Sequence, residues 1–320
     1  MMMKDGVQAA AALKEIARNP QLKAYVQQSE WFPLLRRAAK RYVPAETIED
    51  ALNVAASIIA HEYAVSLEFI GENTDSREAC TAAKEEFLQL IRRGEKLSKE
   101  TTVSFDLSHI GLSIDRGLAA EHLHELAEEA SKRGIVLMVS MEEAEKTGAI
   151  LELYTEAAFA YPDMLGITIQ AHQHRSADDL HKLLAVPGRI RLVKGAFLEP
   201  AEVALPRSEA LLDRYSDFAE RLIRAGKPVS IATHDQRALD RLHAANLLQE
   251  SHVELEMLYG IAAERLLAQK RNGCKTRVYL PYGVEWYLYL CHRLAEYPPN
   301  LYDAVADLVH PERTDRLPYA

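Results

Sequence analysis

From about residue 100 onward the chain alternates short β-rich runs with amphipathic helical stretches, and this alternation constrains the fold more than any other feature. The runs are residues 102–107 (TVSFDL), 135–140 (IVLMVS), 165–170 (LGITIQ), 190–194 (IRLVK), 203–205, 228–232 (PVSIA), 253–257 (VELEM) and 277–280 (RVYL). Helical stretches such as 117–133 and 209–225 lie between most of them. A strand that returns parallel to its neighbour needs a crossover, which is right-handed and usually helical. Eight such units in about 220 residues predict a distorted (β/α)8 barrel, a TIM-like α/β fold, rather than an open sheet. The run at 203–205, taken as the fifth strand, is the shortest.

The first ~95 residues read differently. Residues 8–18, 32–41 and 46–64 carry apolar side chains at three- and four-residue spacings, and Asn19-Pro20 and Pro44 punctuate them. The segment 66–72 (SLEFIGE) and a charged helix near 76–93 close this region. The expected division is a helical arm or cap over 1–95 and a barrel over 96–320.

Charge and cysteine usage narrow the functional classes. Lys and Arg number 38 against 47 Asp and Glu, a net charge of −9, which argues against binding a phosphate backbone. No apolar run approaches the ~20 residues of a membrane span, and the first residues lack the apolar core of a signal peptide. Cys80, Cys274 and Cys291 are widely spaced and odd in number, so a reducing cytoplasm is expected, with peripheral membrane contact through the arm left open. Oligomeric state is not legible.

In a barrel of this kind, chemistry gathers at the C-terminal ends of the strands. Those ends carry Asp106, Ser140, Gln170 to His174, Lys194 to Phe197, Thr233 to Asp235, Glu256 to Leu258 and Tyr279 to Gly283. No Gly-x-Gly-x-x-Gly or GxxxxGK[ST] occurs, so a nucleotide cofactor would be held by side chains at strand ends. His172 and His174 are two apart, as metal ligands on one strand face would be, and His234 could complete a hydrolase site with them. Against that reading, such sites place their HxH on the first strand. His122 and His124 read as surface residues of a helix. Lys194 in RLVKGAF is open to two readings: a lysine that binds an anion or forms a Schiff base, or one paired with a carboxylate. Gly195 and Ala196 leave room beside it for something bulky. In residues 277–300, Tyr289, His292, Arg293 and Glu296 share one helix face, and Arg293 offers a forked contact for a carboxylate or phosphate.

The segments RLVKGAF (191–197), SIATHD (230–235), LEMLYGI (255–261) and YLPYG…WYLYLCHRLAE (279–296) resemble the flavin-dependent proline dehydrogenase family, in its monofunctional bacterial form. Further similarity in LGITIQA (165–171) and LEFIGE (67–72) extends the resemblance over about residues 65–300. It implies a distorted barrel that holds FAD, with FMN not excluded, and hydride transfer from the carbon beside an amine nitrogen to flavin N5. A quinone-type acceptor would reoxidise the flavin. Carried over by position, the flavin would meet Gln170, Arg191, Lys194, Gly195, Ala196, Thr233, His234, Glu256 and Glu296. Arg191 and Lys194 would face the pyrophosphate or the N1/O2 edge, where negative charge grows on reduction. The substrate would meet Ser140, Phe197, Leu258, Tyr279, Tyr289, His292 and Arg293, with Arg293, His292, Asp106 and Tyr279 closest to the chemistry.

Several positions depart from the family pattern. Asp106 stands for a lysine, Ser140 for an aspartate, Phe197 for a tyrosine, His292 for the first arginine of a pair, and Glu256 for a glutamine. With a neutral imidazole, the substrate-facing changes leave the mouth roughly two charges less positive. One arginine beside a shorter, titratable ring is not equivalent to a pair of arginines. Losing a charged hydrogen bond costs ~1.5–3 kcal/mol, on the order of ten- to a hundred-fold in affinity. The expected activity is therefore oxidation of a proline-like or other small amine, with specificity shifted away from free L-proline. The alternatives from other classes are the metal hydrolase on His172, His174 and His234, and a catalytically silent flavin- or ligand-binding barrel.

Overall fold

The computed structural model describes residues 12–13, 19–71, 73–94, 97–98, 100–296, 299–314 and 317–319. The expected helix at 8–18 and Glu72 fall almost wholly outside them. Eight parallel strands close into one barrel in chain order. They are β1 (Ala64–Phe69), β2 (Thr102–Phe105), β3 (Val136–Val139), β4 (Leu165–Gln170), β5 (Arg189–Val193), β6 (Val229–Ala232), β7 (Val253–Leu258) and β8 (Thr276–Tyr282).

The barrel is therefore the expected fold, but its strands are not all the expected ones. The first strand lies in the segment assigned to the arm: β1 pairs with β2 on one side and β8 on the other. The boundary at 95/96 would cut the barrel after its first β/α unit. The run at 203–205 is not a strand; it makes only an isolated bridge, Gln173 to Ala204. A three-residue apolar run carries no period, whereas 64–69 alternates buried side chains of two kinds, a signal masked by the helix that precedes it.

The helices are α1 (Pro20–Gln28), α2 (Phe32–Lys40), α3 (Ile48–Ala60), α4 (Arg77–Gly94), α5 (Arg116–Arg133), α6 (Thr147–Ala160), α7 (Ser176–Leu183), α8 (Glu209–Arg224), α9 (Gln236–Ala244), α10 (Ala263–Arg271), α11 (Trp286–Glu296) and α12 (Pro299–Val309). Local signals set their ends. Asp115 caps α5 by accepting from the Leu118 N–H at 2.8 Å, and Gly134 ends it in the left-handed region at φ 67°. His122 of α5 is buried, not at the surface, and its Nδ1 lies 2.8 Å from the Ile110 carbonyl. His124 is exposed as expected.

Strand side chains alternate with period two, and the two faces differ in chemistry. Val65, Leu67, Val103, Phe105, Leu137, Val139, Ile167, Ile169, Ile190, Leu192, Val229, Ile231, Leu255, Val278 and Leu280 face outward into one apolar layer shared with the helices. The alternate positions include Ser66, Ser104, Thr168, Gln170, Arg191, Ser230, Glu254, Glu256 and Arg277, all buried. Arg191 of β5 hydrogen-bonds Ser66 of β1 and Ser104 of β2, which are not its neighbours in the sheet, so those bonds cross the lumen. The inside of this barrel is a polar network rather than the Val/Ile/Leu packing common in such folds.

The chain before β1 and after β8 builds the surroundings of the mouth. Ala39, Tyr42 and Val43 pack with Trp286, Tyr287, Leu290 and Cys291 in a second apolar cluster, and the Phe32 and Trp286 rings stack at 4.8 Å. Arg41 holds the fully buried Asp307 of α12 by hydrogen bonds of 2.5 and 2.7 Å. Arg41 and Tyr42 also line the cavity described next, so the N-terminal helices contribute to its wall.

Candidate active site

A cavity of about 2240 Å³ opens at the mouth of the barrel, well above the ~300–1,000 Å³ typical of a pocket for one small ligand. It is lined by Asp106, Ser140, Gln170, Arg191, Lys194, Gly195, Ala196, Phe197, Thr233, His234, Glu256, Leu258, Tyr279, Tyr289, His292 and Arg293. Every flavin- and substrate-contact residue expected from the resemblance is thus brought to one cavity except Glu296, whose side chain lies outside the described residues; His172 and His174 of the metal reading do not line it. Parallel closure accounts for the convergence, since it puts the C-terminal ends of all eight strands at one rim.

Arg191 forms the floor. Its Nε donates to Glu256 Oε2 at 2.9 Å, and its Nη2 lies 2.9 Å from Glu256 Oε1. Nη2 also donates to Ser66 Oγ at 3.0 Å and Ser104 Oγ at 2.8 Å. The guanidinium sits 5.1 Å from the centre of the Tyr279 ring, a cation–π distance. Lys194 pairs with Asp235, which fulfils the carboxylate-partner reading, and its ammonium lies 5.8 Å from the Tyr215 ring. Burial would raise the Asp235 pKa, but Lys194 and the Arg237 and Ala238 N–H groups outweigh it and bring it below the ordinary value. Both cations therefore reach the cavity already paired with an acid; for Lys194 this was one of the two readings of the sequence, whereas for Arg191 no acid partner was expected.

Among the other wall residues, Tyr42 OH, His109 Nδ1 and Thr168 Oγ1 have no hydrogen-bond partner among the described residues, and two further residues, His234 and Gln170, keep polar atoms unmatched. His234 accepts the Leu258 N–H at Nε2, 3.3 Å, which makes Nδ1 the protonated nitrogen of the neutral ring. Burial, with Arg293 and Arg265 nearby, holds its pKa down at about 3, so the ring is neutral at pH 7. His234 Nδ1 is buried without a hydrogen-bond partner among the described residues. Gln170 donates through Nε2 to the Glu142 carbonyl at 2.7 Å, and its Oε1 is likewise buried and unmatched. One donor and one acceptor, in residues that line the cavity, are thus buried with nothing to satisfy them among the described residues, at a cost of ~1–3 kcal/mol each. A flavin ring system, which has both carbonyl acceptors and an imide N–H, fits that donor set.

Also in the wall, the Arg293 guanidinium lies 4.9 Å from the Tyr289 ring centre, with His292 beside it on α11. Asp106 and Ser140 stand at the ends of β2 and β3, and Phe197 and Leu258 add apolar wall. Gly195 makes room as expected, but the bulky group is the protein's own: at φ 107° it faces the His172 ring, which an added Cβ would strike. The metal reading does not hold. His172 and His174 lie beyond the end of β4, His174 Nε2 is 2.9 Å from the Ala201 carbonyl, and His234 Nε2 is engaged by Leu258. No group of three or more His, Cys, Asp or Glu able to hold a metal occurs among the described residues.

A family model described as proline dehydrogenase matches residues 51–300. The chain belongs to the proline dehydrogenase family. It is 30% identical over 296 residues to the proline dehydrogenase of Deinococcus radiodurans, covering 90% of this chain and 94% of that one. It is 29% identical over 268 residues to proline dehydrogenase 1 of Bacillus subtilis, covering 83% and 88%. The fold matches that of proline utilization A from Bdellovibrio bacteriovorus, solved after inactivation by N-propargylglycine, with a TM-score of 0.77 at 20% identity. That match spans 92% of this chain and 37% of the longer one. Membership makes this proline dehydrogenase relative a flavin-dependent oxidoreductase acting on CH–NH donors.

Sequence reading missed several cavity residues. Glu68 of β1, Thr168 of β4, His109 after β2, and Arg207 and Arg265 all line it. His109 is buried against Phe69 with ring centres 5.2 Å apart, and burial lowers its pKa to about 4. Period-two alternation in LEFIGE and GITIQ was the available signal for Glu68 and Thr168. His109, Arg207 and Arg265 sit in loops or helices and had none.

Proposed function

We propose that this chain is an FAD-dependent dehydrogenase that oxidises a proline-like cyclic amine or another small amine to the imine, with specificity displaced from free L-proline. The observation that carries the reading is the single cavity at the strand ends, whose wall holds unmatched His234 Nδ1 and Gln170 Oε1 above the Arg191 floor. When bound there, FAD supplies the hydride acceptor at N5. Gln170 Oε1 and His234 Nδ1 would hold its ring, with Thr233, Gly195, Ala196 and Glu296 as further contacts.

The α11 residues and their neighbours in the wall act on the substrate. Arg293, stacked on Tyr289, clamps a carboxylate, while His292 gives that carboxylate a weaker and titratable second contact. Asp106 puts a carboxylate in the mouth where the family carries a lysine, which favours a substrate with a second ammonium group or without a free carboxylate. Phe197, Leu258 and Tyr279 exclude water from the reacting carbon and fix its approach, and Ser140 adds a neutral hydroxyl. Alignment matters most here, because hydride transfer needs close, directed contact more than an acid or base. A quinone-type compound would take the electrons onward. Cytoplasmic placement fits Cys80, Cys274 and Cys291, which are buried free thiols. No helix of the described residues is long and apolar enough to cross a membrane.

The test is to release and identify the cofactor, then screen amines for anaerobic bleaching of the yellow protein. FAD bleached faster by a diamine or an esterified cyclic amine than by L-proline is the expected result. Colourless protein that refuses added flavin overturns the reading, and fastest bleaching by L-proline overturns the displaced specificity. Arg293→Ala should slow reduction by any carboxylate-bearing substrate ten- to a hundred-fold, matching ~1.5–3 kcal/mol for a charged hydrogen bond. An unchanged rate would mean that the carboxylate is held elsewhere.

A further inference from the structure

The cavity floor holds one buried carboxylate whose charge has no role so far, that of Glu256. β7 turns it into the lumen, where it is 2% exposed and faces the Arg191 guanidinium through two 2.9 Å contacts. Arg191 is fixed from other strands as well, by Ser66 of β1, Ser104 of β2 and the Tyr279 ring of β8. Orientation alone does not require a carboxylate at position 256. A glutamine amide could accept the same Nε–H, and it would escape the desolvation cost of burying a second ion. What the carboxylate adds is charge. The carboxylate offsets the charge of the guanidinium it faces; an amide in its place would leave that charge without a counter-ion at the floor. The other cation of this wall, Lys194, is compensated in the same way by Asp235.

Net charge beneath a ligand matters most for a ligand whose own charge changes during turnover. A flavin gains negative charge on two-electron reduction, and an uncompensated arginine in a low-dielectric site stabilises the reduced form preferentially. Resting on the flavin reading above, the geometry points to Glu256 as a positioning residue that acts through Arg191 to hold the flavin's reduction potential down. A lower potential weakens the drive for amine oxidation and strengthens delivery of electrons to the acceptor.

The experiment uses the FAD-loaded protein equilibrated anaerobically with a redox dye of known potential. Glu256→Gln should raise the ratio of reduced to oxidised flavin at a fixed poise at least tenfold, which is about 30 mV for a two-electron couple. It should also tighten the sulfite adduct at N5 by a similar factor, a readout independent of turnover. Glu256→Asp, which keeps the charge, should stay near the parent protein. An E256Q variant that holds flavin at an unmoved potential overturns the tuning role while leaving the flavin reading intact. A parent protein that binds no flavin overturns both. Should E256Q fail to fold, Arg191→Gln carries the test: the ratio should fall at least tenfold, and an unmoved ratio overturns the role equally.

Discussion

Two glutamates of β7, Glu254 and Glu256, point into the same lumen two residues apart, yet they sit in different kinds of environment. Glu254 is in the lower barrel, where Arg277 donates to both of its oxygens at 2.8 and 3.0 Å, Arg189 lies at 2.5 Å, and Ser230 donates as well. Arg277 in turn reaches the Val65 and Glu100 carbonyls and Thr102. Burial would raise the Glu254 pKa, but Arg277 and Arg189 outweigh it and bring it down to about 2. Glu256 shares one arginine and borders a large cavity. The lower network is closed and structural. The upper one lies against space that a ligand can fill, beside His234 and Gln170 atoms that are still unmatched.

The largest effect expected of any single substitution comes from breaking the closed network. Arg277→Met leaves a buried carboxylate short of its bidentate partner, and thermal or urea unfolding should show a loss of about 3–5 kcal/mol. A loss under ~1 kcal/mol would mean that water or Arg189 replaces Arg277, and the contrast between the two networks would shrink.

Acid separates the regions next. His109 and His172 are held near pKa 4 by burial, with Arg207 adding to the effect at His172, and His234 near 3. Each has a folded pKa below its unfolded value of about 6.5, so the unfolded chain binds more protons as pH falls between those values. Stability is therefore full above pH 6.5 and declines as pH drops toward 4, by about 1.4 kcal/mol per pH unit for each ring. Glu254 also has a depressed pKa, but its stabilisation is kept until pH falls through the carboxylate range toward 2. The upper barrel should thus respond to acid first. Urea midpoints measured from pH 7.5 to 4.5 check this, and a flat profile down to pH 5 would contradict it.

The smallest effect is at the hydroxyls under Arg191. Ser104→Ala removes one charged hydrogen bond while Ser66 keeps the other, for a loss of about 1–2 kcal/mol in stability. A larger loss would show that the upper network is as tightly coupled as the lower one.

Much of the fold could be read from the chain because strand/helix alternation is a local signal. It failed at β1, which follows a helix directly and lies among helices in sequence, and at 203–205, where three apolar residues are too few to show a period. The rim residues were legible because parallel closure sends every strand's C-terminal end to one place, so position along a strand predicts membership of the site. Contacts were a different matter. The Lys194–Asp235 pair spans 41 residues and Arg191–Glu256 spans 65. Nothing local marks such partners, and the room that Gly195 announced did not say that the ring to fill it would come from His172.

By itself the sequence determined which side chains point inward, because a period of two on each strand is dictated by backbone geometry. It also determined that a polar interior would have to be satisfied. Only the closed barrel decided how: which arginine faces which glutamate across the lumen, and which polar atoms are left for a ligand. Those outcomes depend on register and curvature between strands distant in the chain, and no local run of residues encodes them.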